Sequence, residues 1–549
     1  MMIKDTLKKI LKWAIEIIST PIFIYFLILN IVANSLSSLY FQDTLAYVSF
    51  VLLAAIITFV ELSAIKVVDQ IKWLKIVMLC VFIALTNVLI VVDSFLIKEF
   101  NLLFGEDVIN IIADTNPSET SDFIQTYFSF SNILLITSLI VGVNAIAFLS
   151  YKLLSKLKFI KISNALLCAG GLLLCCFCVY SQVVYGTGRG IPQYASATRF
   201  AHSGYLLKKR AENIYKLQRI CDETTATTSA KDDRIIILVI GESYNMYHSQ
   251  LYGYDKPTSP KLTKLKDNGE LYIFNNVVTP YNATHSTMQA IYSLGDFANS
   301  ALFPCCFKKA GYYTHISESQ YSLGASMNFL TDKDLSEKMF TSRSDYKCVY
   351  DEILVDSLIL KQVPALYVMH LQGQHYTYEN RYPMTFRKFK KEDYDSKKWN
   401  ENQREIIAHY DNATLYNDHV INSIIEKCRG LNVCLIYFSD HGEEVYDVRD
   451  YMGHGDLSGS NEALIHQIKI PFMIWLSERF KTGNQELADK IKNSIDLPIT
   501  TNDISHVLLG LGEVNCQSYN PKRDFISDEY DENKHRVVLK SIDWDNLTF

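Results

Sequence analysis

Two short polar clusters follow two apolar segments of the sequence, and both contain residue types that bind metal ions. Gly241 and Glu242 follow the run 234–240, which is apolar after Arg234, and Ser439, Asp440 and His441 follow the apolar run 433–438. Carboxylates and imidazoles are common ligands of divalent cations such as zinc. If both runs are strands of an open α/β sheet, their polar ends meet at the edge where such folds bind ligands. The sequence therefore predicts one metal site that is built from both clusters.

A third segment supplies a hydroxyl group that a metal ion could activate. The apolar run 271–278 leads to Thr284, which begins a predicted helix over 284–294. The first turn of a helix carries unpaired backbone N–H groups and the positive end of the helix dipole, which favour phosphoryl oxygens. A nearby cation would lower the pKa of the threonine hydroxyl and make it a nucleophile. On the local pattern alone, the alternative is that Thr284 or Ser286 only caps the helix.

Three histidines lie close to predicted strand ends in the same part of the sequence. His370 lies in the predicted strand 364–371, His375 follows it, and His454 lies in the loop after the second metal cluster. A single histidine is more often a surface or capping residue than a functional one. Several histidines after strand ends favour a shared site, and the glycines that adjoin His441 and His454 suit close approach of a ligand.

The first third of the sequence is rich in long apolar segments, whereas the rest has the composition of a soluble domain. A helix that crosses a bilayer needs about 20 apolar residues. Five segments meet that length: 13–33, 46–65, 74–94, 132–151 and 163–183. We therefore predict a transmembrane domain over 1–185 and, after a bridging helix and linker over 186–230, a catalytic domain over 231–549. Alternating strands and helices in the catalytic domain predict an α/β fold with a mostly parallel sheet.

The distribution of lysines predicts how the chain is oriented in the membrane. Lysines cluster before the first predicted span, between the second and third, and between the fourth and fifth, while the other loops are acidic. Positively charged loops stay on the cytoplasmic side, so five spans place the catalytic domain outside the cytoplasm, which is the periplasm in a Gram-negative bacterium. The loop 95–131 has the apolar spacing of a helix on the membrane surface. The net charge of -6 gives no reason to expect nucleic acid as a partner.

Cysteine content is compatible with an extracytoplasmic location of the second half. Seven cysteines fall in that part of the sequence: Cys221, Cys305, Cys306, Cys348, Cys428, Cys434 and Cys516. Such a compartment permits disulfides, but the number is odd and the pairing cannot be deduced from the sequence. Cys428 and Cys434 are close enough in sequence to close a short loop.

Taken together, these motifs resemble those of the bacterial phosphoethanolamine transferases, which belong to the alkaline phosphatase and sulfatase superfamily. The resemblance covers nearly the whole chain and rests on Gly241-Glu242-Ser243, Ser439-Asp440-His441-Gly442-Glu443 and the motif Tyr410-Asp411-Asn412. It implies that Glu242, Thr284, Asp440 and His441 bind one zinc ion and that Thr284 becomes phosphorylated. It also implies that His375 and His454 bind a second zinc ion or protonate a leaving group. Thr115 and Glu119 fall near the positions of that family that contact the donor lipid.

The same resemblance implies a function and a location. The donor would be phosphatidylethanolamine, and the acceptor would be lipid A, the lipopolysaccharide core or another envelope glycan. The enzyme would be a monomeric, multi-pass protein of the bacterial inner membrane. Tyr281 and Ala290 stand where lipid A enzymes of the family carry cysteines, and Tyr376-Thr377 replaces the usual Gly-Pro. These departures leave the acceptor open.

Two other functions remain compatible with the sequence. A glycerol phosphotransferase of the lipoteichoic acid synthase type would share the spans, the threonine and the metal arrangement. A non-catalytic membrane sensor would keep the fold with a decayed site, but metal-binding residue types are present at all three loops. A hydrolytic sulfatase is disfavoured because the nucleophile segment lacks a Cys/Ser-x-Pro-x-Arg motif.

Overall fold

The computed structural model describes residues 2–41, 44–100, 104–105, 108, 123–124, 130–155, 196–319, 329–330, 333–340, 350–455 and 460–548. The chain forms two compact units. The first comprises Met1–Ile112 and Phe123–Lys209, and the second comprises Ala113–Asp122 and Arg210–Phe549.

Long apolar helices make up the described part of the first unit. They are α1 (Met2–Ile18), α2 (Pro21–Phe41), α3 (Thr44–Val67), α4 (Lys72–Phe100) and α5 (Phe130–Leu154). Two stretches, Lys72–Glu99 and Asn132–Leu153, are long and apolar enough to cross a membrane, and the bent pair Lys12–Ile18 and Pro21–Asn34 would add a third span. The apolar helices agree with a membrane domain, but the described residues give two or three spans instead of the predicted five. The predicted span 163–183 lies outside them, as does most of the predicted surface helix.

Hydrogen bonds between polar side chains join two of these helices. Contacts between apolar residues alone would define the relative position of the two helices less well. The Nδ2 atom of Asn30 donates to the Oγ1 atom of Thr58 at 3.0 Å and to Oε2 of Glu61 at 2.7 Å. Side-chain hydrogen bonds of this kind hold membrane helices together where lipid offers no alternative partner. They fix α2 against α3.

The second unit is built on one seven-stranded sheet. Its strands in chain order are β2 (Ile235–Gly241), β3 (Leu271–Phe274), β5 (Tyr313–Glu318), β6 (Glu337–Phe340), β7 (Ala365–His370), β8 (Val433–Ser439) and β11 (Phe472–Leu476). Their order across the sheet is β3-β11-β8-β2-β7-β5-β6. Short strands pair outside it: β1 (Ala226–Thr228), β4 (Val277–Val278), β9 (Glu444–Val445), β10 (Met452–Gly453), β12 (Ile499–Thr500), β13 (Val514–Cys516), β14 (Val537–Val538) and β15 (Ile542–Asp543).

Strand direction differs in one place from the predicted mostly parallel sheet. The strands β8, β2, β7, β5 and β6 are parallel, whereas β11 is antiparallel to both β8 and β3. The sheet is therefore mixed. The predicted strand 271–278 is also interrupted, because β3 joins the main sheet while β4 pairs with β12.

Helices cover both faces of the sheet. The helix α6 (Ser196–Glu223) begins in the first unit and belongs to the second from Arg210 onward. The other helices of the second unit are α7 (Pro260–Asp267), α8 (Thr284–Tyr292), α9 (Phe303–Lys309), α10 (Glu352–Ser357), α11 (Glu401–Cys428), α12 (Asn461–Ile468), α13 (Glu478–Gly483), α14 (Gln485–Asn493) and α15 (Ile504–Leu511). Alternate residues of β2 enter two separate apolar cores: Ile236, Leu238 and Ile240 on one face, and Ile235, Ile237 and Val239 on the other. Burial on both faces explains why this strand is a continuous apolar run.

The predicted bridging helix and linker over 186–230 contains a short strand near its end, in the Thr/Ser/Ala-rich segment 223–230. Residues 226–228 form β1, which pairs with β13 so that Ala226 lies opposite Cys516. Backbone hydrogen bonds to a strand near the end of the chain outweigh the low strand propensity of a Thr/Ser/Ala-rich segment. The chain is thus already part of the second unit's fold at this point.

Candidate metal centre

Four neighbouring parallel strands bring the candidate residues to one edge of the sheet. Gly241 at the end of β2 lies opposite Ser439 at the end of β8. On the other side, Ile240 lies opposite His370, which in turn lies opposite Glu318 of β5. Loops that follow strands in this register must emerge side by side, which is the usual place for a ligand site in an open α/β sheet.

Glu242 is fully buried in a loop whose backbone is held in an uncommon conformation. Ser243, the next residue, has a φ of 55°, a left-handed conformation that is costly for a residue other than glycine and needs support from its surroundings. The hydroxyl of Tyr410 donates to the carbonyl oxygen of Ser243 at 2.6 Å and accepts from the backbone N–H of Asn245 at 2.7 Å. The tyrosine of the Tyr-Asp-Asn motif therefore holds the Glu242 loop in place.

The second loop presents Asp440 and His441, and both side chains are fully buried. The Oδ1 atom of Asp440 accepts from the backbone N–H groups of Ser243 (3.2 Å) and His441 (2.7 Å), whereas its Oδ2 atom has no hydrogen-bond partner among the described residues. The Nδ1 atom of His441 lies 2.8 Å from the carbonyl oxygen of Gly442, which makes Nδ1 the protonated nitrogen. The other nitrogen, Nε2, lies 3.2 Å from Glu242 Oε1 and 3.4 Å from Asp440 Oδ2, where it could bind a metal ion once it has lost its proton.

Thr284 is the first residue of α8 and points its hydroxyl into the same space. The Oγ1 atom lies 3.1 Å from Glu242 Oε2 and 3.4 Å from His441 Nε2. The helix cap is Ala283, so the alternative that Thr284 or Ser286 serves as the cap is wrong. The two metal clusters and the threonine, which are far apart in sequence, thus meet at one point.

These residues fit a bound zinc ion. One ligand atom each from Glu242, Asp440 and His441 lies within 4.8 Å of the others. Burial and the adjacent Glu242 carboxylate raise the pKa of Asp440 to about 7. The two carboxylates in turn outweigh burial and raise the pKa of His441 to about 10, so this site requires a positive charge, which a protonated His441 or a metal ion can supply. A set of one imidazole and two carboxylates, with a further oxygen in the fourth position, uses the ligand types that zinc prefers in proteins. The Oδ2 atom of Asp440, which has no hydrogen-bond partner among the described residues, would be one of the ligands of such an ion.

A second group of candidate ligands shares His441 with the first. Ligand atoms of His441, Glu443 and His454 lie within 4.8 Å of one another. The Nδ1 atom of His454 is 2.6 Å from Glu443 Oε2, and the rings of His441 and His454 are 4.0 Å apart between centroids. Asn282, two residues before Thr284, donates a hydrogen bond to the backbone oxygen of His454.

His375 also belongs to this region. Burial lowers its pKa to about 3, and the nearby Glu242 carboxylate opposes this shift without cancelling it, so the imidazole is neutral at neutral pH. Arg381 donates from Nε to the backbone oxygen of His375 at 3.2 Å. Thr115 and Glu119, the predicted donor-lipid contacts, lie outside the described residues.

Two further residues lie at this edge: His370, which the sequence named as a candidate without a role, and Glu318, which it missed. His370 and Glu318 are fully buried, with His370 Nδ1 3.0 Å from Glu318 Oε1 and His370 Nε2 3.9 Å from Glu242 Oε2. Burial lowers the pKa of His370, but the carboxylates of Glu318 and Glu242 outweigh this and raise it. Glu318 ends a strand with a polar residue, the same signal that identified Glu242, and this could have found it.

Comparison with known proteins agrees with this architecture. A sequence profile of the sulfatase family matches residues 234–514, which are just over half of the chain and include all four residues around the candidate metal position. The chain belongs to the sulfatase family. This result confirms the predicted superfamily and the sulfatase-like fold of the second unit.

Relatives of this sulfatase-family protein include several phosphoethanolamine transferases. The Escherichia coli phosphoethanolamine transferase EptC is 27% identical over 468 residues, which cover 78% of each chain. The Helicobacter pylori phosphoethanolamine transferase EptA is 29% identical over 289 residues, which cover 50% of this chain and 53% of that protein. The Escherichia coli Kdo(2)-lipid A phosphoethanolamine 7''-transferase is 25% identical over 355 residues, or 58% of this chain and 60% of that one.

Two solved structures extend the comparison. The C-terminal periplasmic domain of Escherichia coli EptC, crystallised in complex with Zn, is 27% identical with a TM-score of 0.53 and covers 59% of this chain and 97% of that domain. The integral membrane protein EptA of Neisseria meningitidis is 18% identical with a TM-score of 0.62 and covers 92% of this chain and 98% of that one. This second likeness concerns the fold, and it supports a membrane domain followed by a sulfatase-like domain in this sulfatase-family protein.

Proposed function

We propose that this protein transfers phosphoethanolamine from phosphatidylethanolamine to a cell-envelope glycan or lipid A through a phosphothreonine at Thr284. The observation that carries the proposal is the position of the Thr284 hydroxyl, 3.1 Å from Glu242 and 3.4 Å from His441 at the start of a helix. Relatives named phosphoethanolamine transferases that cover most of the chain support the choice of substrate. An acceptor other than lipid A remains compatible with all of these observations.

Glu242, Asp440 and His441 would hold the metal ion, with Thr284 as its fourth neighbour. When bound, the zinc ion would lower the pKa of the threonine hydroxyl and neutralise charge on the phosphoryl group. The helix start at Thr284 presents backbone N–H groups that can bind phosphoryl oxygens in the same place. Positioning and charge neutralisation supply most of the acceleration in phosphoryl transfer.

In the first step, the Thr284 hydroxyl gives its proton to Glu242, whose Oε2 atom lies 3.1 Å away, and its oxygen bonds to phosphorus while the bond from phosphorus to the diacylglycerol oxygen breaks. The leaving oxygen needs a proton, and His454 is placed to give it because Glu443 holds its Nδ1 atom at 2.6 Å. In the second step, the oxygen of an acceptor hydroxyl bonds to phosphorus and loses its proton, while the bond from phosphorus to the Thr284 oxygen breaks and Glu242 returns the proton to that oxygen. His375 suits that step because its lowered pKa keeps the imidazole neutral and able to accept a proton.

The membrane domain gives this chemistry its setting. Phosphatidylethanolamine stays in the bilayer, so an enzyme that uses it must work at the membrane surface. The apolar helices of the first unit would anchor the chain in the inner membrane, and the catalytic domain would lie in the periplasm. A monomer with one zinc ion, or with a second held by Glu443 and His454, meets the needs of the reaction.

The test uses the purified full-length chain in vesicles that contain phosphatidylethanolamine. Release of diacylglycerol and mass gain of a glycan or lipid A acceptor are measured for the wild type, Thr284→Ala and Thr284→Ser. We expect no transfer by Thr284→Ala and reduced transfer by Thr284→Ser. In the wild type, we expect a phosphorylated peptide that contains Thr284 when no acceptor, or only a slow acceptor, is present.

Thr287→Ala is the matched control, because Thr287 lies one turn along the same helix and its hydroxyl donates to the backbone oxygen of Tyr281 at 3.2 Å. This variant should keep transfer activity. Vesicles that contain phosphatidylglycerol as the only donor test the alternative function, because a glycerol phosphotransferase would use that lipid and a phosphoethanolamine transferase would not. Normal turnover by Thr284→Ala, or transfer from phosphatidylglycerol alone, would disprove the proposal.

A further inference from the structure

Four buried cysteines meet in pairs at the place where the chain enters the second unit. Cys221 lies in the last turn of α6, Cys305 and Cys306 are neighbours in α9, and Cys516 ends β13. All four side chains are at least nine-tenths buried. They lie outside the candidate metal centre, and nothing in the proposed reaction uses them.

The first pair joins α6 to α9. The thiol of Cys305 donates to the backbone oxygen of Cys221 at 3.2 Å. The sulfur atoms of Cys221 and Cys305 lie within 4.8 Å of each other, together with a carboxylate oxygen of Asp334. Because the side chains face each other across two elements, a small rotation about each Cα–Cβ bond can bring the sulfurs to bonding distance.

The second pair joins α9 to β13. Cys306 and Cys516 lie in the same apolar core, where α9 packs against β13, and each thiol shifts the pKa of the other. Cys516 lies opposite Ala226 of β1, which follows Cys221 after only a few residues. The two pairs therefore flank the same short segment, one at the end of α6 and the other beside β1.

We propose that Cys221–Cys305 and Cys306–Cys516 form two disulfides that fasten the entry segment of the catalytic domain to α9. The inference rests on the extracytoplasmic location in the proposed function, because disulfides persist in that compartment. It does not depend on which group the enzyme transfers. Each bond closes a long loop, 84 residues for the first pair, so each restricts the unfolded chain considerably.

The oxidation step is a thiol–disulfide exchange with a protein disulfide oxidant of that compartment. One thiolate of a pair attacks the oxidant's disulfide, and the second thiolate then displaces the oxidant from the mixed disulfide. Two protons leave the pair, and two electrons reduce the oxidant's disulfide to a dithiol. The neighbouring thiol of Cys306 lowers the pKa of Cys516 to about 7, and that of Cys305 lowers the pKa of Cys221, so Cys221 and Cys516 are the thiols that would attack.

A metal ion is the competing explanation for the first pair, since two thiolates and a carboxylate can bind zinc. We favour disulfides because the second pair starts from the next residue of the same helix and has no third metal ligand among the described residues. Disulfide formation then accounts for both pairs. Cys428 and Cys434 give a contrast, because burial raises the pKa of each and neither pKa is shifted by a neighbouring thiol.

The test is mass spectrometry of the full-length protein, purified from membranes with thiols blocked at lysis. We expect Cys221, Cys305, Cys306 and Cys516 to resist alkylation of the unfolded chain until a reductant is added, while Cys428 and Cys434 are alkylated at once. Because Cys305 and Cys306 are adjacent, the variants Cys221→Ser and Cys516→Ser resolve the pairing. Cys221→Ser should free only Cys305, and Cys516→Ser should free only Cys306.

A stability measurement provides a second readout. A reductant should lower the Tm of the wild type by roughly 5–15 °C, given the usual effect of disulfides that close long loops. The control Cys434→Ala removes a buried thiol that is in neither pair, and its Tm should respond to the reductant as the wild type does. The double variant Cys221→Ser/Cys516→Ser should not respond.

Three results would overturn the inference: immediate alkylation of all four thiols, crossed pairing, or zinc bound in equal amount to Cys221 and Cys305 as thiolates. The lipid transfer assay is run on the same preparation. Free thiols with intact transfer would refute the disulfides alone, whereas paired thiols without transfer from either donor would count against the proposed function alone.

Discussion

The Nδ1 atom of His370 lies 3.0 Å from Oε1 of Glu318, and both side chains are completely buried at the end of neighbouring parallel strands. Glu318 thereby fixes the orientation of the imidazole, so that Nε2 lies 3.9 Å from Glu242 Oε2. Residues behind a metal ligand often determine how well that ligand is placed. This pair would act on the candidate metal centre through Glu242, without contact with the substrate.

Replacing Glu318 with alanine should therefore lower lipid transfer and zinc affinity together, by roughly 10- to 100-fold. The control is Glu337→Ala on the adjacent strand β6, where the side chain is exposed and pairs with Tyr313 and Lys361 at the surface. Zinc titration and initial transfer rates check both variants. Unchanged zinc affinity in Glu318→Ala would show that the pair does not position Glu242.

The hydroxyl of Tyr410 supports the backbone beside Glu242, and its removal should destabilise the fold. In Tyr410→Phe, the buried carbonyl of Ser243 and the buried N–H of Asn245 lose their common partner. An unsatisfied buried polar group costs about 1–3 kcal/mol. Thermal unfolding should give a lower Tm for Tyr410→Phe and no change for Tyr215→Phe, where the side chain is 73% exposed. Equal Tm values for Tyr410→Phe and the wild type would contradict this role.

Gly373 brings the loop after β7 against the backbone of Glu242. It has a φ of 49°, and a Cβ atom there would lie 2.8 Å from both the N and O atoms of Glu242. Gly373→Ala should therefore displace Glu242 and lower transfer strongly as well as stability. Gly430→Ala is the matched control, because Gly430 has a φ of 81° with open space around a Cβ atom.

Both alanine variants carry the cost of a left-handed residue, roughly 1–2 kcal/mol. Only Gly373→Ala adds the clash, so only that variant should lose transfer activity in the vesicle assay. Similar activity in the two variants would mean that the close approach to Glu242 has no functional effect.

The residues that follow the strand ends were the part of this site that the sequence predicted. Glu242, Asp440 and His441 could be predicted to meet because each follows a continuous apolar run with polar residues that bind metals. Thr284 was found from its place at the start of a helix, but its distance from Glu242 depends on the loop before it. The sequence alone left the cap alternative open for that reason.

Contacts that depend on the order of strands were not predictable in the same way. Glu318 and His370 meet because β5 and β7 are neighbours in the sheet, and no local pattern states which strands adjoin. The reversed direction of β11 and the pairing of β1 with β13 are likewise set by the whole fold. Local propensity favoured a linker at 226–228, and pairing with a distant strand overrode it.

A buried charge cluster next to the site makes stability depend on pH in the alkaline range. His248 places Nδ1 2.6 Å from Asp411 Oδ1 and Nε2 3.2 Å from Asp447 Oδ1. Burial lowers the pKa of His248, but the two carboxylates outweigh it and raise the pKa to about 10. The histidine pKa in an unfolded chain is about 6.5. The contribution of His248 is therefore fully present below pH 6.5 and is lost as the pH rises through about 10.

Apparent Tm values of the wild type should accordingly fall between neutral pH and about pH 10, and His248→Gln should remove most of that slope. The variant should also be less stable than the wild type at neutral pH, because Asp411 and Asp447 lose their charged partner. His419→Gln is the control, since the ring nitrogens of this partly exposed histidine lie near the surface residues Glu352 and Lys261. Lysines, tyrosines and cysteines titrate in the same range, so the difference between each variant and the wild type is the quantity to compare. If the Tm of His248→Gln falls with pH as steeply as that of the wild type, a group other than His248 causes the loss of stability at alkaline pH.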